Sequence, residues 1–263
     1  MKHIFIGSTL VLACAQPALA WDFRGAEIIG TANYVQPEAF PLPALQPFPF
    51  PDAVDDPYVT ASLGAAAEFG FGNGFFAQGD VVLHTYETDW QDFKLGSVGA
   101  HLGYEIGGGA NIGVFSYAEL WDQPNEGDMS LGFEIAGQSD AFFYEGYAAY
   151  LFDPLMGTGW EQYHFEATGG YAFNNGLAVE VGLHYTQGDM RFSLPGNEFQ
   201  ALANVSYEVA PELNVELGYV YTDFETNMWN SWDAHGIKLA LTKTIGGGTT
   251  FSQKSYLNLH NGY

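Results

Sequence analysis

The sequence predicts an all-β fold, an up-and-down antiparallel transmembrane β-barrel of about 12 strands. Apolar and polar residues alternate with a period of two in segments of about 10 residues, which turn residues separate. In 177–186, for example, Val179 and Val181 lie on one side of the strand, and Glu180 and His184 on the other. Short and long connections alternate, and aromatic residues gather near the segment ends, as in a barrel that crosses a bilayer.

The first element is a signal peptide in residues 1–20, with a charged start, an apolar stretch and a small-residue cleavage site. Cleavage after Ala20 leaves Trp21 as the mature N-terminus. The apolar stretch is too short for a transmembrane helix. A lipoprotein acylated at Cys14 is the alternative, whereas cleavage at Ala20 leaves a mature chain without cysteine.

The barrel itself is predicted over residues 21–245. Its strands are 23–35, 58–71, 74–86, 93–106, 109–121, 128–137, 141–152, 160–173, 177–187, 196–209, 213–223 and 235–245. The tight connections are Asn73-Gly74, Gly107 to Gly109, Gln138 to Asp140, Asn174 to Gly176 and Ala210 to Glu212. The longer ones are 36–57, 87–92, 122–127, 153–159, 188–195 and 224–234. Bacterial barrels have short periplasmic turns, so an even strand number returns the chain to the periplasm.

Aromatic residues predict an interfacial girdle at each end of the strands. At the long-loop ends these are Trp90, Trp121, Trp160, Trp229 and Trp232. Near the short turns they are Phe71, Phe75, Tyr104, Phe142, Tyr171, Phe173 and Tyr207. A soluble β-sandwich or lipocalin-like barrel is the alternative, but its aromatic residues would fill a core.

Two segments lie outside the alternating pattern. Residues 36–57 carry seven of the 12 prolines, and because proline removes a backbone donor, they are predicted to form a stiff extracellular loop. Residues 246–263 form a C-terminal tail or the closing strand. Whether they plug the lumen, add a strand or extend into the periplasm is open at this point.

The chain is strongly acidic, with a formal net charge of −24 from 31 Asp and Glu against 7 Lys and Arg. Nucleic acid is therefore excluded as a partner, because phosphate contacts need clustered basic residues. An aromatic content of 16% and 33 glycines also argue against a disordered acidic chain.

The strand parity directs the charged side chains to the interior, since an ionised group in hydrocarbon costs several kcal/mol. The inward carboxylates are Glu27, Glu68, Asp80, Glu105, Glu119, Glu134, Glu145, Glu166, Glu180, Glu198, Glu208 and Glu216, and the last strand contributes Lys238. The predicted pore-lining residues are Glu27, Glu68, Asp80, Glu134, Glu145, Glu166, Glu180, Glu216 and Lys238. Small inward residues favour an open lumen: Ser62, Gly64, Ala66, Gly99, Gly132, Gly170, Gly182 and Gly218.

On this pattern, residues 21–245 resemble the small porin-like outer-membrane β-barrels of Gram-negative bacteria, of the twelve-stranded type. Gly236 to Leu241 also resembles the signal that the barrel-assembly machinery reads, although a tail follows it. The resemblance implies a location in the outer membrane of a Gram-negative bacterium, with membrane lipid, lipopolysaccharide and the assembly machinery as partners. Acidic loop residues could attract the divalent cations that bridge lipopolysaccharide: Asp55, Asp56, Asp89, Asp92, Glu126 and Asp128.

The predicted function is a channel for passive diffusion of small solutes that prefers cations. Five carboxylates lie four to six residues from the tight turns and form a loose ring, which favours cations: Glu68, Glu134, Glu145, Glu180 and Glu216. These carboxylates could instead only hydrate the lumen or pair with Lys238. The alternative function is a non-conducting structural or surface-interaction barrel.

Metal binding and lipase chemistry are two alternatives that the lumen residues raise. His84, His101, His164 and His184 point inward, and His164, Glu166 and His184 lie on neighbouring strands, as a metal site would require. Polar lumens also accumulate histidine without ligating metal, so neither a metal nor a cofactor is predicted. An outer-membrane lipase needs a Ser-His-acid arrangement near lipid. No Gly-x-Ser-x-Gly element occurs, and no enzyme is predicted.

Overall fold

The computed structural model describes residues 21–38, 40–41, 53–54, 57–87, 92–121, 127–152, 161–190, 194–226 and 231–254. The predicted signal peptide, most of the proline-rich loop and the end of the tail lie outside these residues. Within the described ranges, no helix is long and apolar enough to cross a membrane.

The described residues form a closed antiparallel barrel of 12 strands, as the sequence predicts. The described residues contain 14 strands, of which all but β2 and β3 belong to the barrel: β1 Asp22–Pro37, β2 Phe40–Pro41, β3 Ala53–Val54, β4 Tyr58–Gly72, β5 Phe75–Glu87, β6 Asp92–Gly107, β7 Ala110–Trp121, β8 Gly127–Ser139, β9 Phe142–Phe152, β10 Glu161–Ala172, β11 Leu177–Met190, β12 Leu194–Ala210, β13 Leu213–Thr226 and β14 Trp232–Gly246. The short β2 and β3 pair with each other inside the proline-rich segment, apart from the barrel.

The barrel closes between its first and last strands. β1 and β14 pair antiparallel from Gly25 opposite Gly246 to Pro37 opposite Ala234. Every other barrel strand pairs with its neighbours in sequence, so the topology is up-and-down. Because β14 already closes the sheet, the described part of the tail is not a closing strand.

The predicted tight connections coincide with the observed short turns. Asn73 and Gly74 between β4 and β5 have φ angles of 54° and 82°. Positive φ at both central residues is what a type I′ hairpin turn requires, and Asn-Gly adopts it at little cost. Asp140 and Glu212 also have positive φ in the β8–β9 and β12–β13 turns.

The exterior carries a continuous apolar belt. In β11, Val181 is 65% exposed, whereas the inward His184 is 1% exposed. Every barrel strand contributes an exposed apolar side chain: Ile28, Leu63, Val81, Val98, Leu120, Phe133, Phe142, Phe165, Val181, Val205, Leu217 and Leu239. An apolar surface of this extent is unfavourable in water and matches the hydrocarbon of a bilayer, so the barrel spans a membrane.

Aromatic side chains mark the short-turn end of this belt, as predicted. Phe75 and Tyr104 pack with their ring centroids 4.7 Å apart, and Phe142 and Tyr171 with theirs 4.9 Å apart. At the long-loop end, Trp90, Trp160 and Trp229 lie outside the described residues, and only the backbones of Trp121 and Trp232 are described. The second girdle therefore stays a prediction.

Glycines on the inner wall make room for large side chains on the neighbouring strand. The directly opposed pairs are Phe76 with Gly103, Tyr117 with Gly99, Phe115 with Gly132 and Phe143 with Gly170. A Cβ at Gly99 would lie 2.3 Å from the Tyr117 ring. The expectation that small inward residues leave the lumen open is therefore wrong at Gly99, Gly132 and Gly170, because flat aromatic rings occupy the space.

The tail enters the lumen from the short-turn end. Residues 247–254, called the lumen tail below, follow Gly246 and run along the inner faces of β4 to β9. The Gly247 amide donates to the Arg24 carbonyl at 3.1 Å, and the Lys254 amide donates to the Tyr117 hydroxyl at 2.8 Å. Phe251 and Lys254 are each 1% exposed. The described tail thus partly plugs the barrel.

Candidate functional site

The candidate functional site is the polar lumen, and its first unpredicted member is Arg24. The β1–β4 register shifts between Phe23 and Gly25, which leaves Arg24 as the extra residue of a β-bulge. Its guanidinium lies 3.2 Å from a Glu68 oxygen and 4.7 Å from the centroid of the buried Phe76 ring. Strict period-two alternation points Arg24 toward lipid, so only recognition of the bulge could have placed it inside.

A buried histidine connects two of the predicted carboxylates. His101 Nε2 lies 2.7 Å from Asp80 Oδ2, and Nδ1 lies 2.7 Å from Glu134 Oε1. The Tyr117 hydroxyl donates to the same Asp80 oxygen. Ionised carboxylates only accept hydrogen bonds, so an imidazolium with a proton on each nitrogen satisfies both contacts.

Lys254 of the lumen tail neutralises a second group of carboxylates. Its ammonium forms an ion pair with Glu145, lies 3.9 Å from Glu134 and donates to the Ser252 hydroxyl at 2.7 Å. Burial lowers the pKa of the Lys254 ammonium, but the carboxylates of Glu145 and Glu134 outweigh burial and raise the pKa above its ordinary value. Lys254 is therefore a charged component of the lumen, which the sequence pattern did not identify.

The remaining predicted lumen residues lie on the opposite wall or near it. Lys238 of β14 forms an ion pair with Glu216 of β13 at 2.9 Å. Glu180 accepts a hydrogen bond from the Asn204 amide at 3.0 Å, and Glu27 is half-buried on β1. The predicted ring of carboxylates thus divides into a group around the lumen tail and a group beside Lys238.

The histidine cluster occupies the predicted position. Glu166 pairs with His184 across β10 and β11, with 3.6 Å between Glu166 Oε2 and His184 Nδ1. His164 Nδ1 lies 3.4 Å from His184 Nε2, and Thr186 Oγ1 lies within 3.1 Å of both rings. Among the described residues, no group of three His, Cys, Asp or Glu is arranged to hold a metal ion.

Of the acidic loop residues predicted to attract divalent cations, only Asp128 has a described side chain. Asp55, Asp56, Asp89 and Glu126 lie outside the described residues, and only the backbone of Asp92 is described. Asp128 is buried inside β8, opposite Glu119 of β7. Its assignment to an acidic loop was wrong, because Asp128 lies within β8 on the face that points to the lumen.

Open space remains beside the lumen tail. A cavity of about 190 Å³ in the lumen is lined by Lys238, Lys254, three glutamates, and hydroxyl and amide side chains. A second cavity of about 780 Å³ at the short-turn end is lined by Arg24 and Glu68. Both cavities share Glu145, Thr168 and Glu180, so they adjoin at these three residues.

Comparisons with known proteins support this architecture. An outer membrane channel from Pseudomonas putida aligns with a TM-score of 0.54 and 10% identity, over 88% of this chain and 97% of that chain. The NanC porin aligns with a TM-score of 0.53 and 8% identity, over 80% of this chain and 98% of that chain. The predicted resemblance to porin-like barrels is confirmed at the level of the fold. At these identities the likeness establishes the fold alone.

No protein-family model matches the sequence, and no curated protein matches it. The outer-membrane location therefore rests on the closed barrel and its apolar belt, and both features confirm the prediction. A closed barrel satisfies every backbone hydrogen bond without water and has no open edge in lipid. Outer membranes are where such single-chain antiparallel barrels occur.

Proposed function

We propose that this chain is a porin-like channel of a Gram-negative outer membrane, that it passes small solutes by passive diffusion and prefers cations, and that it is not an enzyme. The observation that carries the proposal is the polar space beside the lumen tail, where two cavities meet at Glu145, Thr168 and Glu180. Hydroxyl, amide and charged groups replace part of a solute's hydration shell, which is what passage through a narrow pore requires.

The cation preference follows from the balance of charge around this space. Glu145 is neutralised by Lys254 and Glu216 by Lys238. Glu180 and Glu166 have amide, hydroxyl or histidine neighbours in the described structure. An excess of carboxylates in a narrow, poorly screened space attracts cations and repels anions.

Ion selectivity tests the proposal. The mature barrel is reconstituted in a planar bilayer, and its reversal potential is measured in a KCl gradient. A steady conductance with K⁺ more permeant than Cl⁻ is expected. Glu180→Lys combined with Glu216→Lys should lower the K⁺/Cl⁻ permeability ratio, because both reversals add positive charge beside the passage. Unchanged selectivity in this double variant would contradict the role of the two carboxylates.

A matched control separates this effect from a change in overall charge. Glu225→Lys makes the same reversal at an exposed position near the long-loop end of β13. Its distance from the two cavities predicts a permeability ratio close to that of the wild type. A control that shifts selectivity as far as the double variant would show that total charge, rather than charge at the passage, sets the preference.

A non-conducting structural or surface-interaction barrel is the second candidate, and one observation favours it. Several inward side chains on β10, β11 and β12 are at most 1% exposed: Gln162, His164, His184, Thr186 and Gln200. Such packing narrows the lumen in the half of these strands that lies toward the long loops. A barrel that is correctly folded but electrically silent would support this candidate.

Three further assignments belong to the same proposal. The first is cleavage after Ala20, which would make Trp21 the mature N-terminus. The centroid of the Trp21 ring lies 5.1 Å from that of Phe71. N-terminal sequencing of the mature protein tests this assignment, and a first residue other than Trp21 would contradict it. Lipopolysaccharide and the barrel-assembly machinery are proposed partners, the latter through Gly236 to Leu241. The third assignment is that the lumen binds no metal ion, although His164, Glu166 and His184 lie close together.

A further inference from the structure

We propose that the lumen tail is a fixed wall of the passage and that Lys254 within it limits the cation preference of the channel. This inference rests on the proposed channel function. It differs from a gate, because it predicts that ions pass while the tail stays in position.

Side chains of the barrel wall form hydrogen bonds with the tail backbone at successive tail residues. The amide of Thr250 donates to Glu68 at 2.8 Å, and that of Ser252 donates to Glu145 at 3.1 Å. Gln78 donates to the Phe251 carbonyl at 2.8 Å and accepts from the Phe251 amide at 3.3 Å. These contacts satisfy a buried backbone that has no strand partner, as burial requires.

Tail side chains also fit the wall closely. Phe251 stacks on His101 with an interplanar angle of 15° and a centroid distance of 5.9 Å. A Cβ at Gly113 would lie 2.8 Å from the Phe251 ring, and one at Gly64 would lie 2.0 Å from the Gln253 side-chain oxygen. Glycine at these wall positions therefore leaves the space that the tail occupies.

The tail separates a packed side of the lumen from an open one. On its packed side lie the buried aromatic rings of Phe76, Phe115 and Tyr117. On its open side, residues 252–254 line the lumen cavity. Residues 247–250 line the cavity at the short-turn end, which reaches the ends of β7, β8 and β9. The tail therefore borders the proposed passage along both cavities.

Charge identifies Lys254 as the residue in this wall that affects selectivity. It is paired with Glu145, which lines both cavities, and it lies 3.9 Å from Glu134. Loss of its positive charge leaves a carboxylate unpaired at the point where the cavities meet. Cation preference should then increase, which is the opposite of the effect of the Glu180 and Glu216 reversals.

The test compares single-channel recordings of three proteins: the wild type, Lys254→Met and a chain truncated after Gly246. Each protein begins at residue 21 and is refolded in detergent. We expect Lys254→Met to raise the K⁺/Cl⁻ permeability ratio about twofold or more, and truncation to raise conductance by a similar factor. Lys243→Met is the matched control, because Lys243 lies on the exterior and pairs with Glu212 at 3.1 Å. It should leave both quantities unchanged.

A double variant provides a second measurement if the truncated chain does not fold. Gly64→Cys with Gln253→Cys places two thiols where the tail meets β4, in a mature chain otherwise free of cysteine. We expect a disulfide to form, and the oxidised and reduced barrels to conduct equally. Conductance that falls sharply on oxidation would overturn the fixed wall in favour of a moving gate, and failure to cross-link would overturn the tail's position.

The outcomes separate this inference from the proposed channel. If the wild type, Lys254→Met and the truncated chain all conduct with the same conductance and selectivity, the inference about the tail is overturned. The proposed channel function would still stand. A silent wild type with a conducting truncated chain would show that the tail is a plug, and would overturn both the fixed wall of a passage and the channel function of the full barrel. Silence of both would overturn both.

Discussion

His101 is the residue on which the buried polar network of the lumen depends. It is 3% exposed and lies 2.7 Å from oxygens of both Asp80 and Glu134. Two carboxylates in a site with little water repel each other unless a cation lies between them. The ring also stacks on Phe251, so it joins the wall to the lumen tail.

We therefore expect His101→Gln to lower the free energy of unfolding by about 3–5 kcal/mol, because it leaves buried carboxylates without their cation. Urea unfolding in detergent micelles measures this change. The control is His235→Gln on the exterior, where the histidine side chain is 42% exposed. A loss below about 1 kcal/mol for His101→Gln, within the range of an exposed pair, would contradict the central role of this residue.

At the same scale, the sequence predicts whether a side chain faces lipid or the lumen wherever strict alternation along the strand holds. Hydrocarbon excludes charge, so Glu166 and His184 were placed inside and opposite each other from alternation alone. Arg24 was not placed, because a bulge interrupts alternation at that residue. Lys254 was not placed either, since a tail that leaves the sheet has no periodic pattern, and its partners Glu145 and Glu134 are more than 100 residues away.

At the scale of elements, each barrel strand has one face for lipid and one for the lumen. Lipid tolerates charge poorly, and the penalty depends on depth in the bilayer. Val181 in β11 lies in the middle of the apolar belt, and Val209 in β12 lies near the short turn that follows. Both side chains are more than half exposed on the exterior, at 65% and 53%.

This arrangement predicts that a charge on the lipid-facing side destabilises the barrel more when it lies deeper in the bilayer. Val181→Arg should lower the free energy of unfolding in lipid vesicles by about 2–4 kcal/mol, whereas Val209→Arg should cost about 0–1 kcal/mol. Equilibrium denaturation in vesicles measures the free energy of unfolding of both variants. The two are a matched pair, because each replaces a valine on the exterior face with arginine. Equal costs would show that this exterior does not lie against hydrocarbon.

Strand positions and short turns were predictable because both follow local rules. Period-two alternation marked the strands to within a few residues, and Asn73-Gly74 marked a hairpin turn that needs positive φ. Glycine on the inner wall was less informative. It indicates space beside the backbone, but only the paired strand reveals that Tyr117 fills the space at Gly99.

At the scale of the whole molecule, the lumen is asymmetric. Aromatic rings and the lumen tail fill much of the side of β4 to β9. One polar cavity remains toward β10 to β14 and β1, and the other lies at the short-turn end beside β7 to β9. Under the proposed channel function, such a lumen would admit solutes by size and hydration, and its selectivity would depend on few side chains. We therefore propose a narrow channel rather than a wide water-filled pore.

Solute uptake into liposomes tests this central claim most directly. Liposomes that contain the mature barrel are diluted into isosmotic solutions of uncharged solutes of increasing size, and swelling is followed by light scattering. The account predicts swelling with the smallest polar solutes and a steep decline as solute size increases. Swelling no faster than that of protein-free liposomes with every solute, from a barrel shown to be folded, would contradict it.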